Sequence, residues 1–220
     1  MSGGNMSNDD SLSELECWYE FASNYSYLSI MRIDKLAQDV NVKLVWKPFL
    51  LGPIFKSFGW ESSPFVLQKE KGAYVWQDMV RQCHKYGIPW NKPSVFPRNA
   101  VLPLRVAIIG AEQPWINAFN QGVMQLNFAE DKEINDRDTI AKVLHELGLP
   151  ADQLIAQALS DDNKSALRAQ TEEAQRRGIF GAPTFFAHGE MFWGNDRLED
   201  ALQFAAQRAP IINQTNDNTG

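Results

Sequence analysis

The sequence predicts an α/β fold, with one small mixed sheet assembled from two halves far apart in the chain. Three observations carry this. A β-α-β pattern opens the folded region, a long helical block follows, and a β-β-α pattern closes it. Neither half has enough strands to stand alone, so the two must pair across the insertion. A chain of 220 residues, 44% hydrophobic and 22% charged, is long enough for one substantial core or two modest ones.

The elements follow in order. Leu15, Cys17, Tyr19 and Phe21 alternate with Glu16, Trp18 and Glu20, the period-two pattern of a partly buried strand. A turn at Ala22-Ser23-Asn24 leads into a helix over about 25–39, where Tyr27, Leu28, Ile30, Met31, Ile33, Leu36 and Ala37 recur at helical spacing. Asn41 breaks it. Val42, Leu44 and Trp46 then mark a second strand, closed by Pro48, and the right-handed crossover makes the two strands parallel neighbours. From Gly52 to Pro103 glycines and prolines divide the chain into short pieces, with one helix at 69–86. Helices are predicted at 104–111, 114–128, 136–146, 151–159 and 161–178, with Asp136 and Asp152 near starts and Gly148 and Gly178 near ends. Thr184–Ala187 and Met191–Trp193 read as a hairpin turning near Gly189, and a last helix runs from about 197 to 207.

Composition excludes several classes of function. A net charge of −6 gives no basis for nucleic-acid binding, and no apolar run reaches the roughly 18 residues of a membrane span. The polar first fourteen residues lack a basic start and an apolar stretch, so no secretory signal is expected, and the location expected is cytoplasmic. Two cysteines, Cys17 and Cys83, exclude a disulfide scaffold and read as buried small hydrophobes. His84, His145 and His188 are far apart and form no metal-ligand spacing, so no metal is expected. The dinucleotide and phosphate-loop glycines are missing after the first strand. Seven tryptophans, five tyrosines and thirteen phenylalanines suit either an aromatic core or a pocket for a flat ligand.

Two segments point to chemistry. Phe21 to Leu28 crosses from the first strand into the first helix and places Ser23 at the helix start, where N–H groups and the macrodipole favour an anion. Ser23 there either caps the helix or donates to an anionic ligand group; without a neighbouring histidine base it is a poor nucleophile. Gly178 to Phe186 sets Ala182-Pro183 just before an aromatic strand, a placement that suits a cis bond in a tight turn or a trans proline at a strand start.

These stretches, with Trp46 to Lys56, Thr171 to Ala174 and Met191 to Leu198, resemble the 2-hydroxychromene-2-carboxylate isomerase family over about residues 15–207. That family is related to kappa-class glutathione transferases and disulfide-bond protein A-like proteins. The resemblance implies a thioredoxin-like fold interrupted by an all-helical insertion. It divides the chain into a tail at 1–14, thioredoxin-like parts at 15–60 and 176–209, a helical domain at 61–175 and a second tail at 210–220. It implies glutathione as cofactor, a small aromatic carboxylate as substrate, and a homodimer.

The site follows residue by residue. Ser23-Asn24-Tyr25-Ser26 stands where redox relatives carry Cys-x-x-Cys, so dithiol exchange is unavailable at that motif. Ser23 matches the serine supporting the glutathione thiolate. Ala182 and Pro183 match the pair whose bond is cis and whose backbone holds the cysteinyl part, and Asn195 and Asp196 match the pair holding the γ-glutamyl end. Lys71 is assigned to the glycyl carboxylate; Asn99 and Arg105 are expected to face the cleft, Arg105 toward a substrate carboxylate. Family members commonly carry proline where this chain has Asn24, a difference that leaves the hydroxyl chemistry untouched. Trp60 replaces a glutathione-contacting asparagine and is expected to stack on an aromatic substrate, with Trp193 a further cleft candidate. The activity implied is isomerisation of 2-hydroxychromene-2-carboxylate to trans-o-hydroxybenzylidenepyruvate by thiolate addition and elimination. A kappa-class-like transferase or peroxidase, or a non-catalytic thiol- or peptide-binding module, is the alternative.

Overall fold

A computed structural model describes residues 13–207. Strand β1 (Glu14–Tyr19), helix α1 (Asn24–Asp39) and strand β2 (Lys43–Pro48) form the opening β-α-β unit, with β1 and β2 parallel. β1 begins inside the expected tail: Glu14 pairs with Lys43, whose N–H donates to the Ser13 carbonyl at 2.8 Å. The rest of that tail, and residues 208–220, lie outside the described residues. Strands β3 (Thr184–Ala187) and β4 (Glu190–Trp193) complete a sheet of order β2-β1-β3-β4, antiparallel from β1 onward. The two halves therefore join at β1 and β3. His188 and Gly189, at φ 49° and 84°, make the two-residue turn between β3 and β4; both left-handed conformations match the sheet's twist.

Between the halves run α2 (Leu51–Ser57), α3 (Pro64–Leu67), α4 (Lys69–Tyr86), α5 (Val101–Gly110), α6 (Ile116–Phe128), α7 (Arg137–Glu146), α8 (Ala151–Ala158) and α9 (Asp161–Arg176); α10 (Leu198–Ala206) follows the sheet. α2 and α3 fall in the region expected to be turns. Gly52-Pro53 and Ser63-Pro64 resemble punctuation, yet each proline sits in the first helical turn, where no intrahelical N–H donor is required. Ser63 caps α3 by accepting from the Phe65 N–H at 3.3 Å. α5 likewise starts three residues early, with Pro103 in its first turn. α9 ends two residues early, at Arg176.

β1 is covered on both faces. Leu15, Cys17 and Tyr19 enter the main core with α1, α5 and α6, but Trp18 on the opposite face is also buried. It joins a second cluster with Phe49, Ile54, Ala174, Ile179 and Phe186. Residues from α2, α9 and the β3 approach cover that face, and no local periodicity in β1 reports them. Arg177 seals its edge, lying 3.7 Å from the Phe186 ring centre and pairing with Glu16.

Most of the aromatic excess is core. Tyr27 stacks on Phe128, Phe128 on Trp90, and Trp90 on Trp76, at centroid spacings of 5.3, 6.2 and 6.1 Å. Both cysteines are buried and free, as read from the sequence. Burial pushes the Cys83 thiol up to about 11 and that of Cys17 higher still, so neither is a thiolate at neutral pH.

Candidate active site

The end of β1 and the start of α1 set the floor of a cavity of about 510 Å³. Ser23 is the N-cap of α1: its extended backbone breaks the helix there, and its oxygen accepts from the Ser26 N–H at 3.2 Å. The same hydroxyl donates to the Ala182 carbonyl at 2.8 Å. The capping reading therefore holds, and the cap lies beside Ala182. Across the floor, the Ala182–Pro183 bond is cis, so of the two alternatives the tight turn is the one observed. Pro183 lies behind the wall, where its carbonyl accepts from the Gly194 N–H at 3.0 Å.

Aromatic side chains make the walls: Tyr25 from α1, Phe55 from α2, Phe65 and Tyr74 from α3 and α4, and the pair Phe180 and Trp193, whose rings are 4.8 Å apart. Lys56 and Lys71 also line the cavity. A cavity that is mainly apolar, with few polar groups converging at one end, is the usual form of a small-molecule site.

Glu20 was not anticipated. It forms part of the floor, is 6% exposed, and its main-chain carbonyl accepts from the Ser23 N–H at 3.0 Å. Burial pushes its carboxyl up to about 8, against a smaller opposing effect of the Ala22 N–H, so it holds a proton at neutral pH. Tyr25 donates to Asp78 at 2.8 Å. Burial first, then that hydrogen bond, raise its phenol well above the ordinary range; the nearby charges of Asp78, Tyr74 and Asp196 add to this.

The residues singled out from the sequence divide into two sets. Ser23, Ala182, Lys71, Asn99 and Trp193 line the cavity. Asn99 also serves the fold there, its Oδ1 accepting from the Val101 N–H at 3.0 Å at the start of α5. Trp60, Arg105, Asn195 and Asp196 do not line it. Trp60 is 39% exposed and packs on Phe55 and Phe58; Phe55 is the ring that faces inward. Arg105 lies within α5, where its carbonyl accepts from Asn163 and its Nε is buried without a partner. Asn195 is buried, its Oδ1 accepting from Ser29 at 3.1 Å and Arg32 at 3.0 Å. That oxygen ties α1 to the turn before α10. Asp196 is exposed beside Arg197 and reaches the cavity only through its charge on Tyr25.

The cavity's other wall is held by a buried network. Arg98 donates to Asn127 Oδ1 at 2.9 Å and pairs with Asp131, while Asn127 Nδ2 donates to the Phe21 carbonyl at 2.9 Å. This network fixes the Phe96–Ala100 loop, which includes a second cis bond at Phe96–Pro97, against the end of β1. The aromatic lining carried a weak sequence signal: Tyr25, Phe55 and Phe180 each lie within a stretch already singled out. Phe65 and Tyr74 carried none, because tertiary assembly brings them to the cavity. Among the described residues no group of three His, Cys, Asp or Glu side chains is placed to hold a metal ion, and no helix is long and apolar enough to cross a membrane.

A four-stranded mixed sheet, a helix capped at the strand end by Ser23, and a cis Ala182–Pro183 bond beside that cap define a thioredoxin-fold protein. The chain belongs to the DSBA-like thioredoxin domain family, whose model matches residues 14–205. A 2-hydroxychromene-2-carboxylate isomerase of Pseudomonas putida is 30% identical over 192 residues, covering 84% of this chain and 90% of that protein. Glutathione S-transferase kappa 1 of Rattus norvegicus is 26% identical over 199 residues, covering 84% and 87%. The solved structure of a 2-hydroxychromene-2-carboxylate isomerase superposes with a TM-score of 0.77 at 26% identity, covering 84% of this chain and 90% of that one. The chain is thus related to isomerases and to glutathione transferases.

Proposed function

We propose that this protein is a glutathione-dependent isomerase, interconverting 2-hydroxychromene-2-carboxylate and trans-o-hydroxybenzylidenepyruvate or a related aromatic 2-oxo acid. One observation carries the reading: the Ser23 hydroxyl lies at the start of α1, on the floor of an aromatic-walled cavity, facing a cis proline. The donor set fits an anionic thiol peptide. Ser23 and the helix start would hold its sulfur, the Ala182 main chain its cysteinyl part, and Lys71 a terminal carboxylate. When bound, glutathione supplies a thiolate that adds to, and later leaves, a conjugated carbon of the substrate.

The chain's own groups do the rest. Ser23 donates its hydroxyl proton to the Ala182 carbonyl, so supporting a bound anion requires that hydroxyl to turn toward the cavity while its oxygen keeps the Ser26 N–H. The α1 dipole favours negative charge at the same point. Phe55, Phe65 and Phe180 enclose a flat ring and exclude water, which strengthens the remaining electrostatics. Lys56 and Lys71 serve the substrate and peptide carboxylates, the former taking the part expected of Arg105. Glu20, protonated at neutral pH, adds no opposing charge to the floor. Action as a homodimer in the cytoplasm belongs to the same proposal.

Product analysis tests it. Purified protein given the substrate and a trace of glutathione should isomerise many equivalents while free thiol stays constant. Stoichiometric loss of thiol into a conjugate identifies a transferase instead. Failure to bind glutathione at millimolar concentration overturns both and leaves a binding module.

A further inference from the structure

The first turn of α1 holds three buried polar side chains that differ in what partners them. Ser23 is satisfied twice, by the Ser26 N–H and the Ala182 carbonyl. The Ser26 hydroxyl is buried without a hydrogen-bond partner, but Ser26 is not part of the cavity wall. Asn24 is part of that wall, is 1% exposed, and its Nδ2 is buried with no hydrogen-bond partner. An amide donor left without an acceptor in the interior is destabilising, and native proteins rarely keep one without cause.

The fold does not require asparagine here. Ser23 already caps the helix, and Asn24 is the first helical residue, where the main-chain N–H has no intrahelical acceptor. Proline is well suited to that position. Ser23, at φ −84° and ψ 115°, has the extended backbone that a residue before proline adopts. The amide therefore spends buried polar surface on something other than starting the helix, and it does so in the cavity wall beside Ser23.

We propose that Asn24 is a ligand-binding residue whose side-chain amide donates a hydrogen bond to the sulfur of a thiolate held at the start of α1. The inference rests on the reading above, that the cavity takes a thiol of the glutathione class. Because Asn24 lines the cavity, rotation about its Cβ–Cγ bond can bring Nδ2 to a bound anion with no movement of the backbone. A thiolate is large and accepts several donors at once. Ser23 alone serves it only by giving up the Ala182 carbonyl, so a second donor at the same helix end completes the shell. The anion meets no opposing charge from Glu20, whose carboxyl holds its proton up to about pH 8.

The test measures the thiol itself. Glutathione bound to the wild-type protein and to the Asn24→Ala and Asn24→Pro variants is titrated by its ultraviolet thiolate absorbance. Affinities for glutathione and for S-methylglutathione, which cannot form a thiolate, are measured in parallel. Both variants should cut the thiolate fraction of bound glutathione at neutral pH about tenfold, with S-methylglutathione bound as by the wild type. The proline variant keeps the helix start, so circular dichroism separates loss of the amide from loss of the fold. An unchanged thiol titration in the proline variant overturns the assignment. So does an equal loss of affinity for both peptides, which puts the amide on another part of the ligand. No glutathione binding by the wild-type protein overturns the reading beneath it, a result distinct from either.

Discussion

The floor of the cavity and its helical wall are built by different means. On the floor, Ser23, Glu20 and Ala182 are joined by main-chain and capping hydrogen bonds, each of which sets a position to within a few tenths of an ångström. On the wall, Phe55 packs on Trp60 and Phe65 on Tyr25, contacts that reach beyond a single element. Local sequence sets the cap at Ser23 and the turn at Ala182-Pro183, whereas the position of the wall rings follows from tertiary assembly. Chemistry should therefore be concentrated on the floor, with selection among substrates on the wall.

Four variants can break or sharpen that contrast. Glu20→Gln should have the largest effect, on the pH dependence of stability. The folded chain keeps the Glu20 proton up to about pH 8, whereas the unfolded chain releases it near 4.5, so in the wild type this group lowers stability as pH rises between those values. Urea midpoints at pH 5 and pH 8 should show the variant losing less stability than the wild type, by on the order of 4 kcal/mol. Parallel losses would mean that Glu20 titrates normally. Ser23→Ala comes next, with turnover down about 100-fold or more at retained fold, as expected for removal of a donor at a reacting anion. The lost cap should cost about 1 kcal/mol of stability. Unchanged turnover would remove the floor from the chemistry.

Lys71→Ala should raise the KM for glutathione roughly three- to tenfold and leave kcat in place, since an exposed ammonium contributes modestly and through binding. A fall in kcat at constant KM would move Lys71 from the wall's role to the floor's. Trp60→Ala should be the smallest, with kcat and KM within about twofold, because a surface ring outside the cavity contributes little. A tenfold rise in substrate KM would restore Trp60 to the site.

The same contrast explains what was legible in the sequence. The β-α-β opening was readable because Leu15, Cys17 and Tyr19 alternate and Tyr27 to Ala37 repeat at helical spacing, both properties of neighbouring residues. Ser23 and Ala182 were readable for the same reason: a cap and a turn-forming proline are local events. α2 and α3 were not, because Pro53 and Pro64 start helices with the same letters that end them. Trp60 and Phe55 could not be told apart, since both are large aromatics a few residues apart and only packing decides which faces inward. Asn195 and Arg105 were placed in the site by likeness to relatives. The structure gives the Asn195 oxygen to Ser29 and Arg32, and Arg105 to the packing of α5. Asn24 was noticed only as a departure from proline, because what sets it apart is the absence of an acceptor, a property no residue pattern displays.

Asn127 reaches both parts of the cavity. One end of its amide receives Arg98, behind the Phe96–Ala100 loop; the other donates to the Phe21 carbonyl, where β1 leaves the sheet. The distance between wall and floor is therefore measured off by a single side chain, as by a fixed gauge. Widening the gap on this side requires one or the other of these two buried hydrogen bonds to break. The reach of an asparagine side chain thus helps to set the width of the cavity on this side.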